Sequence, residues 1–150
     1  MIDPVRKQIT VSCDPQTAFD VFTRRISTWW PKGEHSVSAM NDAVAREVVL
    51  EPKTGGRLYE IAHDGDEIEW GSVAQFVEGE RPVLNWHINA PAEQATEVTV
   101  HFAANADGGT DVILIHSQFE KLAENGAQMR DGYNKGWVNV FENHFAQACG

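Results

Sequence analysis

In the run TDVILIHSQF (Thr110–Phe119), a two-residue alternation sets His116 on one side with Val112 and Leu114. It is the one titratable group on an otherwise apolar face. An imidazole so placed can orient a ligand or act as a general acid or base near neutral pH. It can equally be a histidine at the edge of the core, bonded to a neighbour's backbone or carboxylate. Glu60 raises the same question, because it shares a side with Leu58 in GRLYEI. A partly buried carboxylate needs a partner or a raised pKa. Arg57, Glu69 and His116 are the candidate partners. Its two roles are a ligand anchor and a salt bridge at the mouth of a cavity.

The remaining reactive residues suggest less chemistry. His35, His63, His87, His101, His116 and His144 are scattered, with no HxH or HExxH spacing. Cys13 and Cys149 form no CxxC pair. No metal site and no cofactor is therefore expected, and both cysteines are expected as reduced thiols. No GxSxG occurs, and Cys13 has no activating base beside it in sequence. The TGGR stretch (Thr54–Arg57) is too short for a phosphate loop, and no helix follows it. The densest aromatic patch is Trp29-Trp30-Pro31 with His35 nearby. One of these tryptophans is expected in the core, the other in a pocket wall or a dimer interface.

These residues must be positioned by a recognisable series of elements. VRKQITVSC (Val5–Cys13) alternates and reads as a strand. Asp14 as N-cap and Pro15 in the first turn start a helix with Ala18, Phe19 and Phe22 on its apolar side. A short second helix carries Ile26, Trp29 and Trp30 and stops at Pro31, and PKGEHSVSAMND reads as a loop. Six strands in hairpins follow: AREVVLEP, RLYEIA, IEWGSVAQFV, VLNWHI, ATEVTVHFAA and DVILIHSQF. Asp64-Gly65 marks one hairpin turn and NADGGT another. Gly71 is a candidate bulge. A helix from about Ala127 to Ala148 closes the chain, with Trp137, Phe141 and Phe145 recurring every fourth residue on one face. Successive short turns demand antiparallel pairing, so the layout is α+β in one domain spanning residues 1–150, with a twisted sheet curling around the helix. Gly136 interrupts that helix at a cost of about 1 kcal/mol against Ala. It either admits a strand's backbone, leaves room beside Trp137 for a ligand, or is a tolerated kink.

Several stretches, in order, resemble one family. EPKTGGRLYE is similar to its Gly-Gly turn and third strand. EWGSVAQFVEGERPVLNWHI is similar to its Gly-led strand and the strand ending in Trp. GTDVILIHSQFE resembles its Thr-led penultimate element, GWVNVFENHF the buried half of its last helix, and STWWPKGEHSV a helix-to-loop corner. The chain is thereby identified as a member of the activator of Hsp90 ATPase homologue 1-like (AHSA1) family. That family lies within the START/Bet v 1-like (SRPBCC) superfamily. Pro82 departs from the pattern, standing where an apolar residue such as Leu is usual, and is expected to shorten its strand. The resemblance implies a helix-grip fold: a curved antiparallel sheet of six to seven strands around a long C-terminal helix, with two short helices after the first strand. It also implies which strand sides face the cavity. These carry Leu58 and Glu60, Leu84 and Trp86, Val100, and Leu114 and His116. Trp137 and Phe141 lie opposite, and Trp30 and His35 sit at the corner.

A net charge of −10, from 22 acidic and 12 basic residues, would repel a phosphate backbone or an anionic membrane. Nucleic acid and membrane are therefore not expected as partners. The N-terminal MIDPVRKQITVSC has no apolar stretch of signal-peptide type, so a cytoplasmic location is expected. Three functions remain. The first is binding of a hydrophobic small molecule with one polar or anionic handle, in a cavity between sheet and helix. The second is a protein-interaction module, with a homodimer or an Hsp90-type chaperone as partner. The absence of the eukaryotic co-chaperone's additional N-terminal domain weighs against the chaperone. The third is a cyclase- or hydratase-like enzyme using His116 and Glu60, which nothing in the sequence requires.

Overall fold

A computed structural model of the chain describes residues 2–88 and 90–150. β1 (Val5–Val11) is followed by α1 (Pro15–Phe22), α2 (Ile26–Trp29) and α3 (Val37–Met40). Six strands come next: β2 (Glu47–Leu50), β3 (Arg57–Ile61), β4 (Glu67–Val77), β5 (Arg81–Trp86), β6 (Thr96–Ala104) and β7 (Thr110–Ser117). A 3₁₀ segment (Phe119–Asn125) leads into α4 (Gly126–Trp137). The helix then runs on through a π-helical stretch (Val138–Phe145) to α5 (Ala146–Ala148). Among the described residues no helix is long and apolar enough to cross a membrane.

The strands form one antiparallel sheet in the order β1-β7-β6-β5-β4-β3-β2. Each hairpin pairs neighbours in sequence. Among the described strands only β1 pairs far along the chain, with β7, from Val5↔His116 to Val11↔Thr110. The sheet curls into a half-barrel around the C-terminal helix, the helix-grip arrangement. Burial follows the pleat: β7 alternates buried and half-buried from Thr110 to Ser117, which turns Val112, Leu114 and His116 inward.

Local chemistry explains most of the elements. The Asp14 carboxylate accepts the Thr17 amide at 2.8 Å and opens α1, whose Ala18, Phe19, Val21 and Phe22 are buried. Gly71 sits where the β3–β4 register shifts, leaving Trp70 as the extra residue of a bulge. A Cβ at Gly71 would lie 1.8 Å from the Asn85 carbonyl oxygen, so only glycine lets β4 and β5 pair there. Pro82 does not shorten β5, which starts at Arg81 and pairs Pro82 with Phe76. The PKGEHSVSAMND stretch is not all loop. It holds α3, with Ser36 Oγ accepting the Ala39 amide at 2.9 Å.

The core between sheet and helix is strongly aromatic. Phe145 meets Phe22 and Trp29 with ring centroids 5.2 Å away in each case. Phe141 and Phe145 stack at 5.6 Å with an interplanar angle of 5°. They lie within the π-helical stretch.

Candidate functional site

A cleft of about 720 Å³ opens between α4, the end of β5 and the corner that joins α2 to α3. Its floor is aromatic. Trp30 comes from the corner, Trp86 from the last residue of β5, and Tyr133 and Trp137 from one stripe of α4. Trp30 and Trp137 pack edge to face at 6.1 Å, while Trp86 lies tilted against both, 5.5 Å from Trp137 and 6.0 Å from Trp30. Ile88, Leu122, Met129 and Val140 extend the apolar wall, and Gln94, Asn125 and Gln128 supply neutral polar groups.

Gly132 and Gly136 both line this cleft, one turn apart on the same face of α4. Among the described residues, and outside the helix's own backbone and the adjoining residues, no atom lies within 4 Å of a Cβ built at Gly132, and one at Gly136 would meet the His35 ring at 3.6 Å. Among the described residues no strand backbone lies within 4 Å of that Cβ at Gly136, so the expectation of a close backbone approach is not met. The two glycines instead leave a strip of bare backbone, and that strip is part of the space.

Four of the residues expected in a site line the cleft: Trp30, His35, Trp86 and Trp137. Leu58, Leu84, Val100, Leu114 and Phe141 do not. All five are buried in the packed core. Glu60 and His116 are fully buried as well, and both are committed to other partners.

His116 is held in one protonation state by its neighbours. Indole nitrogen can only donate, and Trp137 Nε1 donates to His116 Nδ1 at 3.1 Å. The ring proton therefore sits on Nε2, which lies 2.7 Å from Thr96 Oγ1. The Thr96 hydroxyl in turn donates to the Trp86 carbonyl at 3.1 Å. Burial drives the His116 pKa down to about 3, so the ring is neutral across the physiological range. The sequence suggested a backbone or carboxylate partner. The partners are a hydroxyl and an indole.

Glu60 has none of the expected partners. Arg57 pairs with Glu67 at 3.0 Å, and Glu69 with His87 at 3.3 Å. The Glu60 carboxylate accepts four bonds instead. Val37 N and Trp70 Nε1 donate to Oε1 at 2.6 and 2.9 Å, and Ser38 N and Oγ donate to Oε2 at 3.1 and 2.8 Å. It anchors the first turn of α3 to the sheet, and so fixes the wall that carries Glu34, His35 and Ser36. Among the described residues no hydrogen bond joins Glu60 to His116.

The corner is tied down elsewhere too. Trp30 Nε1 donates to the His35 carbonyl at 2.7 Å, and Asn139 Nδ2 to Glu34 Oε2 at 2.5 Å. Burial lowers the His35 pKa, which favours the neutral ring. On the helix side, Trp86 Nε1 donates to the Tyr133 hydroxyl at 3.1 Å. Among the described residues no cluster of three His, Cys, Asp or Glu side chains could hold a metal ion.

The family model described as "Activator of Hsp90 ATPase homolog 1-like protein" matches residues 12–150. The chain belongs to this family. A comparison with curated proteins gives no match. Among solved structures, this AHSA1-family chain is similar to CalC from Micromonospora echinospora, described as a self-sacrificing resistance protein. The identity is 28% over 98% of this chain and 94% of that one, with a TM-score of 0.73. It is also similar to an anthrahydroquino-γ-pyrone synthase, Txn09, solved as a complex: 27% identity, 97% and 96% of the two chains, TM-score 0.64. The Aha1 dimer from Colwellia psychrerythraea, at 12% identity over 95% and 96% of the chains and a TM-score of 0.62, shares the fold.

Sequence reasoning missed Tyr133, Met129 and Leu122. Met129 and Tyr133 extend the Trp137-Phe141-Phe145 spacing of four toward the N-terminus, a signal that was present but not followed. Leu122 belongs to the 3₁₀ segment, which has no periodic signature.

Proposed function

We propose that this AHSA1-family chain binds an apolar small molecule in the cleft between its sheet and its C-terminal helix. The observation that carries this is the cleft itself: about 720 Å³, with an aromatic floor and a few neutral polar groups. That size and lining suit a drug-sized organic ligand. The likeness to Txn09, a synthase solved as a complex, and to CalC supports a small-molecule role over a purely structural one.

An acid–base enzyme using His116 and Glu60 has less support. Both ring nitrogens of His116 and both carboxylate oxygens of Glu60 are already bonded within the protein. Neither residue lines the cleft.

Titration with the uncharged dye N-phenyl-naphthylamine tests the proposal. Saturable dye fluorescence is expected in the wild type, and a loss of at least tenfold in affinity in Gly136→Leu. That substitution improves helix propensity and lays its side chain over the bare strip at Gly132. Equal binding by a folded Gly136→Leu variant would place the dye elsewhere and refute the proposal.

A further inference from the structure

We propose that the Tyr133 hydroxyl is the polar anchor of the cleft, and that the ligand is an uncharged aromatic molecule bearing a carbonyl oxygen. This rests on the cleft-binding function proposed above and names its ligand class.

The aromatic floor has one donor left. Each of its indole N–H groups is already used: Trp30 on the His35 carbonyl, Trp137 on His116, Trp86 on Tyr133. The Tyr133 hydroxyl accepts the Trp86 proton. Among the described residues nothing accepts its own. A phenol fixed as an acceptor on one side presents its proton on the other, and Tyr133 lines the cleft. Burial raises its pKa, so the proton stays in place at neutral pH. A donor with no protein acceptor, at the edge of an aromatic floor, matches an acceptor oxygen conjugated to an aromatic ring.

Charge narrows the class further. Among the described residues lining the cleft there is no Lys or Arg, and the one carboxylate is Glu34. His35, whose burial favours the neutral ring, offers no fixed cation. The chain around the cleft carries −10 overall. A carboxylate ligand would lose its hydration, meet no cation and be repelled by Glu34. Of the polar or anionic handle expected from the sequence, the anionic form is therefore disfavoured. The amides of Gln94, Asn125 and Gln128 leave room for further neutral polar groups on the ligand.

Three matched probes separate these points: fluorene, fluorenone and a fluorenone carboxylate, titrated by tryptophan quenching. Wild type is expected to prefer fluorenone over fluorene by about fivefold, the equivalent of one net hydrogen bond of about 1 kcal/mol. The carboxylate should bind at least tenfold more weakly than fluorenone. Tyr133→Phe should erase the fluorenone preference, bringing the fluorene and fluorenone affinities within about twofold of each other. The carbonyl stretch of bound fluorenone should lie at its hydrogen-bonded frequency in wild type and at its apolar-solvent frequency in Tyr133→Phe. Should that variant not fold, an apolar-solvent frequency in wild type alone would overturn the anchor. Fluorene and fluorenone binding equally, or the preference surviving in Tyr133→Phe, would also overturn the anchor while leaving the cleft as a binding site. Carboxylate binding as tight as fluorenone would overturn the charge argument. Binding of none of the three would overturn the cleft function together with its ligand class.

Discussion

Glu60→Gln should cost far more than a change of one atom suggests. The carboxylate accepts two donors on each oxygen: Val37 N and Trp70 Nε1 on one, Ser38 N and Oγ on the other. The Ser38 hydroxyl cannot easily reverse, because it already accepts the His63 amide at 3.2 Å. Glutamine has one acceptor oxygen and one NH₂ group. Whichever way it is turned, its NH₂ faces at least one backbone or indole N–H that has lost its acceptor. A stranded buried N–H costs about 1–3 kcal/mol, and bonds to a charged acceptor are worth about 1.5–3 kcal/mol against about 1 for neutral ones. The sum is about 3 kcal/mol. A chain of this length has about 5–15 kcal/mol in total, and each kcal/mol moves Tm by about 2–4 °C. Urea titration should show a fall of about 3 kcal/mol, and thermal melting a fall of about 6–12 °C. Dye affinity should fall as well, because Glu60 pins the wall that carries His35. A loss below about 0.5 kcal/mol would refute the claim that Glu60 is a structural anchor with all its acceptor sites filled.

His116 predicts a pH dependence of stability. Its folded pKa of about 3 lies below the ordinary value of 6.5, so between those values the unfolded chain binds the extra proton. Stability from this group is complete above pH 6.5 and is lost as pH falls toward 3. The slope approaches about 1.4 kcal/mol per pH unit in that window. In urea titrations across pH 4–7, His116→Gln should show a shallower slope than wild type. Gly132→Ala should stabilise the chain by about 0.5–1 kcal/mol, since helix propensity improves and, among the described residues outside its own helix backbone and adjoining residues, no atom lies within 4 Å of the new Cβ. Thermal melting would detect this, and a destabilised variant would mean that the space beside Gly132 is not free. Burial pushes the Cys149 thiol pKa upward, so a thiol reagent at neutral pH should modify it only on unfolding, while half-buried Cys13 reacts sooner. Peptide mapping of the labelled protein resolves the two.

The strands and the long helix were legible because their patterns are local. Alternation in VRKQITV and TDVILIHS predicts both the strands and their inward faces, and Gly71 marked the bulge it occupies. α3 was not legible. Four residues have no periodicity, and the helix is held in part by Glu60, a residue 22–23 positions further along the chain. The π-helical stretch under Phe141 and Phe145 likewise has no local sequence mark. The inward placement of His116 and Glu60 followed from the pleat, but their use did not. Whether a buried polar group is free or already bonded depends on side chains from other elements, such as Thr96, Trp137 and Ser38. Tyr133 shows the converse: its spacing from Trp137 was visible, yet the acceptor side of its hydroxyl is filled only because Trp86 reaches across from β5.

The most direct test of the cleft is an ¹⁵N–¹H spectrum of the five tryptophan indoles during titration with fluorenone. Trp30, Trp86 and Trp137 line the cleft, whereas Trp29 and Trp70 donate to Val21 and Glu60 behind it. The indole signals of the first three should shift and saturate together, with Trp29 and Trp70 moving much less. Unchanged spectra at saturating probe, or shifts confined to Trp29 or Trp70, would contradict ligand binding in the cleft.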